Sequence, residues 1–130
     1  MRLLLDTHIA LWAVVNSPRL SPVARELILS AENSIWISAA SVWEIAIKHA
    51  FGRGDMPLSG ERANTLFARS GYLALAIDAK HAAAVALLPQ LGARADPFDR
   101  LLIAQARVES MTLLTHDDAV AAYGAGVRWV

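Results

Sequence analysis

The stretch Leu3-Leu4-Leu5-Asp6-Thr7-His8, at the start of the chain, decides the fold. Three consecutive large apolar residues with no polar alternation read as a strand buried on both faces, the pattern of an inner strand in a helix-covered parallel sheet. Asp6 falls at the C-terminal end of that strand, where open α/β sheets place their ligand crevices, and a helical pattern begins near Thr7. A lone Asp between strand and helix is most simply a helix N-cap. The same arrangement recurs along the chain, and that recurrence makes a cap into a candidate site.

Ile9 to Val15 reads as a short helix ended by Asn16-Ser17-Pro18. Ser21-Pro22 opens a second helix, with Ser as N-cap and Pro at the first helical position, and the two form an αα-hairpin. Ser34 to Ser38 is a second strand, leading directly into the apolar helix Ala39 to Lys48 with Glu44 in its midst. A carboxylate there needs an explanation. Ser41 and Glu44 match a capping box, and Glu44 and Lys48 an i,i+4 surface pair. Because Ser38 ends the strand with no turn residue before Ala39, the helix is expected to start there, which puts Glu44 well inside it and disfavours the capping box.

Residues 51–60, with Gly52, Gly54, Pro57 and Gly60, form a loop in which Arg53 either touches a phosphate or is solvated. A helix from Glu61 to Arg69, a third strand over Tyr72 to Ile77 and a helix from Ala79 to Leu88 follow, with Asp78 as a structural N-cap. In Asp96-Pro97-Phe98-Asp99-Arg100-Leu101, Asp96 as N-cap, Pro97 at the first position and Asp99 at the third make a well-formed helix start. Thr112 to Thr115 is a fourth strand, Asp117-Asp118 opens the last helix, and Val127 to Val130 is a terminal strand.

Strand-helix alternation on this scale predicts a single α/β domain over residues 1–130, three layers deep, with a mainly parallel central sheet. It brings Asp6, Glu44, Asp99 and Asp117 to one edge. Each acid has a structural explanation by itself, but four converging carboxylates raise one another's pKa unless something positive resolves them. Hard oxygen ligands of this kind suit Mg²⁺ or Mn²⁺ completed by water and phosphate, and such ions serve in-line displacement at phosphorus.

Composition narrows the class. Hydrophobic residues make up 55% of the chain and charged ones 18%, more apolar material than a small monomer easily hides, which points to an oligomer or a bound partner. Trp12, Trp36, Trp43 and Trp129 are not expected all to fit inside so small a core. Cysteine is absent, which removes disulfides and thiolate metal sites and fits the cytoplasm. Neither a signal peptide nor a membrane span is read in the chain. The 12 basic and 12 acidic residues cancel, so the chain lacks the basic surplus common in nucleic-acid binders. Bound cations would nevertheless make an acidic site locally electropositive.

Leu4-Leu5-Asp6-Thr7, the run Ile37 to Lys48, the run Asp96 to Ala106 and Leu113-Leu114-Thr115-His116-Asp117 together resemble the four acidic motifs of PIN-domain ribonucleases. The likeness is nearest to the VapC-type toxins of bacterial toxin-antitoxin pairs, and it spans the chain in order. It implies a three-layer α/β/α PIN-like fold and a Mg²⁺- or Mn²⁺-dependent endoribonuclease whose metal-binding catalytic acids are Asp6, Glu44, Asp99 and Asp117. It also implies an accessory Asp96 and supporting hydroxyls at Thr7, Ser41 and Thr115. The expected partners are an RNA substrate, a second copy in a homodimer, and an antitoxin laying a helical or extended segment across the cleft. One departure is Arg94, where relatives of this subgroup often carry His.

Other chemistries compete. His8 and His116 flank the strand-end carboxylates and could serve a metal-independent ribonuclease that yields a cyclic phosphate. Asp6-Thr7 after a strand is similar to aspartyl-phosphatase nucleophiles, but His8 stands where those families want a second Asp. A phospho-receiver signalling domain has similar length and sheet, yet the paired acids and the Lys it needs are missing.

Overall fold

The computed structural model describes residues 1–52, 56–91 and 96–130; Arg53 and Arg94 lie outside the described residues. Among the described residues five strands form one sheet: β1 (Arg2–Leu5), β2 (Ser34–Ser38), β3 (Leu73–Leu75), β4 (Thr112–Thr115) and β5 (Val127–Trp129). Their order is β3-β2-β1-β4-β5 and every neighbouring pair is parallel. The first strand therefore sits at the centre, as its unbroken apolar run requires. This order departs from the 2-1-3-4-5 of receiver-type sheets, which sets aside the phospho-receiver alternative.

The helices among the described residues are α1 (Thr7–Val14), α2 (Pro22–Leu29), α3 (Ala39–Ala50), α4 (Gly60–Arg69), α5 (Ala79–Ala84), α6 (Pro97–Glu109) and α7 (Asp118–Ala121). Alternation along β1 divides them into two layers. Leu3 and Leu5 join Ile35, Ile37 and Leu114 in a core closed by α1, α2, α3 and α4. Leu4 and Leu113 face the other way, against Leu102, Ile103 and Ala106 of α6 and Val120 of α7. Leu3, Leu4 and Leu5 are wholly buried, each contributing roughly 1.5–3 kcal/mol of hydrophobic stabilisation.

Local chemistry sets the ends of the elements. Ser21, Ser38, Ser59, Asp78 and Asp96 cap α2, α3, α4, α5 and α6, each side chain accepting a backbone N–H of the first turn. Gly60, at the start of α4, lies so close to α3 that an added Cβ would meet the Ala46 Cβ at 2.6 Å. That contact holds the two helices together.

Several boundaries differ from those read in the sequence. The third strand is shorter than residues 72–77, because its outer edge is unpaired and Leu73 and Ala74 stay exposed. The helix expected to reach Leu88 ends at Ala84 and tightens into a 3₁₀ turn over Val85–Leu87, and the Arg100 guanidinium donates to the Val85 carbonyl at its start and the Leu88 carbonyl just past its end. Helix α3 runs on to Ala50, α4 begins at Gly60, and the terminal strand stops at Trp129. No helix of the described residues is long and apolar enough to cross a membrane.

Candidate active site

The C-terminal ends of β1, β2 and β4 bring the acids to one edge of the sheet. Asp6, buried, caps α1: one oxygen accepts the Thr7 N–H at 2.7 Å and the other the Thr115 hydroxyl at 2.6 Å. Burial pushes its carboxyl above the ordinary value and Glu44 adds to this, while the Thr115 and Thr7 hydrogen bonds and His8 pull it down. Thr115 also accepts the Asp117 N–H at 3.0 Å, so one hydroxyl ties the end of β4 to two acids. Asp117 caps α7 through the Ala119 N–H at 2.8 Å and is exposed.

Glu44 is deep in α3 and almost fully buried. Ser38 caps that helix, so Ser41 is in its interior and the capping-box reading fails. The exposed i,i+4 pair fails as well: Glu44 does meet Lys48, but with its own side chain only 3% exposed. Its other oxygen lies 2.7 Å from Thr7 Oγ1, which is also 2.9 Å from Ser41 Oγ. A hydroxyl has one proton, so Thr7 gives it to the carboxylate and accepts from Ser41. Burial works against the Lys48 charge, but the bond and the charge of Glu44, then Asp96 and Asp99, outweigh it and leave the ammonium pKa raised.

Asp99 sits in the first turn of α6, next to the N-cap Asp96, whose carboxylate accepts the Phe98 N–H at 2.8 Å. Its pKa is pushed up to about 8, first by burial and then by the charges of Asp6, Asp96, Glu44 and Asp117. All the sequence-predicted acids thus act on one another at Asp99. Asp96, Asp99 and Asp117 line a cleft of about 240 Å³ with Tyr123 at its side. A larger apolar groove of about 550 Å³, lined by Val42, Trp43, Phe67 and β3, opens on the other side of Trp43. Trp43 meets Phe98 edge-on at 5.0 Å, so the groove reaches the start of α6.

The gathering is one of charge and not of ready coordination. Among the described residues no three His, Asp or Glu groups are placed closely enough to hold an ion as they stand. The reason lies in the partners: Lys48, Thr7 and Thr115 hold Glu44 and Asp6 back on their own elements. The donor set itself, all carboxylate oxygen with one acid too crowded to ionise at neutral pH, fits a hard divalent cation.

Some residues that build the site gave no chemical signal in the sequence. Gln105, fully buried on α6, takes the Ser38 hydroxyl proton at 2.5 Å and donates to the Ala76 carbonyl at 3.3 Å, pinning the ends of β2 and β3 to α6. Arg100 lines the same cleft and donates to the Pro89 carbonyl and the Tyr123 hydroxyl, both at 2.9 Å. His81, buried, completes the α5 cap and faces Glu109. A glutamine on an apolar helix face and an arginine beside an acid are the only hints available. His8 is in the first turn of α1 and not in a loop; it faces Trp12 at 6.0 Å, and His116 stacks on Trp129 at 4.7 Å.

Comparison with known proteins places this arrangement. The chain resembles VapBC2 from Rickettsia felis, solved bound to a DNA fragment from its promoter, with TM-score 0.72 and 20% identity over 100% of this chain and 98% of that one. It resembles VapBC-1 from nontypeable Haemophilus influenzae with TM-score 0.66 and 20% identity, over 100% and 97% of the two chains. FitAcB from Neisseria gonorrhoeae follows with TM-score 0.61 and 23% identity, over 98% and 95%. No functionally curated protein matches it in sequence. At these identities the structures speak for the fold. The PIN domain model matches residues 3–126, nearly the whole chain, and the chain therefore belongs to the PIN domain family.

Proposed function

We propose that this PIN domain, one folded unit over residues 1–130, is a Mg²⁺- or Mn²⁺-dependent endoribonuclease, the VapC-type toxin of a toxin-antitoxin pair. The observation that carries the reading is the Asp99 carboxyl raised to about 8 by burial and by four neighbouring acids. A cluster that cannot ionise fully without a cation is a cost to the fold unless the cation is part of the working protein.

Asp6, Glu44, Asp99 and Asp117 would hold the ion, and when bound it supplies activation of water and stabilisation of the leaving oxygen at phosphorus. The chain's own residues do the rest. Thr115 and the Thr7 N–H fix the Asp6 carboxylate, the Thr7 hydroxyl with Ser41 behind it fixes Glu44, and Lys48 offsets the Glu44 charge. Asp96 orders the start of α6 and presents Asp99. RNA fits as substrate because a cation on this edge reverses its local charge.

An antitoxin is supported by the VapBC and FitAcB likenesses and by the apolar groove beside Trp43, which suits the apolar face of a helical segment. Trp43 and Phe51 remain 54% and 73% exposed, which favours a homodimer or an antitoxin complex over a free monomer. The absence of cysteine agrees with a cytoplasmic protein.

Sequencing RNA ends after brief expression, with a chelator arm on the purified protein, tests this. The expected result is cleavage that stops with chelator, returns with Mg²⁺ or Mn²⁺, and leaves 5′-phosphate and 3′-hydroxyl ends. Chelator-resistant cleavage with cyclic phosphate ends would move the chemistry to His8 and His116.

A further inference from the structure

A row of four rings runs beside the acids, with His116 directly before Asp117. His8 follows Asp6 by two residues and meets Trp12 at 6.0 Å; Trp12 meets His116 edge-on at 5.8 Å; His116 stacks on Trp129 at 4.7 Å with 27° between the planes. The backbone holds the middle of the row, since His116 Nδ1 donates to the Val130 carbonyl at 2.6 Å. A carbonyl only accepts, so Nδ1 carries the proton of this bond.

Core packing accounts for one end of this row only. Trp12 packs against the core under β1, whereas Trp129 keeps 52% of its surface open on the edge strand β5. An indole stacked on a fixed imidazole and half open to solvent has room for another ring. At the other end, His8 and Trp12 line a second cavity of about 470 Å³ together with Arg19 and Ser17. That volume is within the range of small-ligand sites.

Charge limits what can sit there. The chain has no basic surplus, so single-stranded RNA is not held along its length by general electrostatics. Stacking of bases on aromatic rings is the sequence-tolerant alternative, and a single cation such as Arg19 suffices for one flanking phosphate.

We propose that Trp129 and His116 form a stacking platform for an unpaired base of the RNA substrate, and that the strand continues along Trp12 and His8 to a phosphate at Arg19. This rests on the ribonuclease reading and adds where the nucleotides beside the cut are held. Trp129 and Arg19 are binding residues; neither touches the reacting atoms.

The test uses Asp99→Asn protein, expected to bind RNA without cutting it, and labelled single-stranded oligomers of roughly ten nucleotides, within the span of known single-strand sites. Fluorescence anisotropy should show Trp129→Ala and Trp129→Leu each weakening binding about tenfold, while Trp129→Phe stays within about twofold. Trp129→Leu keeps apolar volume on the edge strand, so a loss there reports the ring and not the fold. The salt dependence should be shallow, and Arg19→Ala should lower its slope by about 0.7, one single-strand phosphate. In the cutting protein, Trp129→Leu should raise KM with kcat little changed.

Equal RNA binding by Trp129→Leu and its parent would overturn the platform. So would a change of oligomeric state in Trp129→Leu with RNA binding per protomer unchanged, since the surface would then serve a second copy. If wild-type protein cuts RNA and Trp129→Leu keeps its KM, the platform alone is lost. If wild-type protein neither binds nor cuts RNA, the ribonuclease reading fails and takes the platform with it.

Discussion

The two sides of the acidic edge are built on opposite terms. On the β1 and α3 side, Asp6 and Glu44 are buried but supplied: Thr7, Thr115 and Lys48 satisfy their oxygens. On the α6 side, Asp99 is less deeply buried, and among the described residues no donor meets its carboxylate; instead it faces the other acids and its pKa rises to about 8. Burial raises the carboxyl of Asp6 as well, but there the Thr115 and Thr7 hydrogen bonds work against it, whereas at Asp99 the neighbouring charges add to it. The acid that no donor meets is where a cation has most to offer.

The largest effect expected from this contrast is at Asp99. Asp99→Asn keeps the shape and removes the ionisable oxygen a cation would take, so RNA cleavage should fall by at least about a thousandfold, the scale of losing metal-centred stabilisation of several kcal/mol. In the metal-free protein the same change should raise stability at neutral pH, on the order of 1 kcal/mol after solvent screening, measured by urea unfolding. Loss of stability with loss of activity would mean that Asp99 serves the fold.

The supplied side should respond in the opposite sense. Lys48→Met strips the buried Glu44 of its cation and should cost roughly 2–3 kcal/mol in metal-free protein, with Mn²⁺ recovering part of it. Thr115→Val removes the donor to Asp6 and should cost about 1–3 kcal/mol, since a buried carboxylate oxygen is left unpaired. Urea midpoints for both, with and without Mn²⁺, decide whether these residues are partners or bystanders.

How far the site could be read from sequence follows the same division. Asp6, Asp96 and Asp117 were legible because each ends a strand or opens a helix, and each turns out to be an N-cap. Glu44 was legible as a carboxylate on an apolar helix, but its burial against Lys48 was not, because an i,i+4 pair looks the same exposed or buried. The sheet was legible from the three leucines of β1. The ends of β3 and α5 were not, since they depend on an unpaired edge and on Arg100 reaching carbonyls 12 and 15 residues away. Gln105 acts wholly through tertiary partners, which no local pattern records, and His81 adds to its local cap a contact with Glu109, 28 residues away.

A smaller effect concerns pH. The folded-state pKa of Asp99 exceeds the ordinary carboxyl value, so between pH 4 and about 8 the folded state keeps a proton that the unfolded state has lost. Metal-free stability should therefore decline as pH rises through that window and level off above it, and the Asp99→Asn variant should decline less. An identical pH profile for the two proteins would remove the charge crowding on which the contrast rests. The smallest change is expected at Asp78, which caps α5 far from the acids; Asp78→Asn should shift stability by less than about 0.5 kcal/mol and leave cleavage unchanged.

Calorimetric titration of Mn²⁺ into the metal-free protein at pH 7, in two buffers of different ionisation heat, tests the acidic edge as a cation site most directly. The ion must displace the proton that crowding holds on Asp99, so binding should release about one proton per ion in the wild-type protein. Asp99→Asn should bind weakly and release fewer protons. Tight binding by the variant with the same proton release, or no binding by the wild-type protein, would contradict the account.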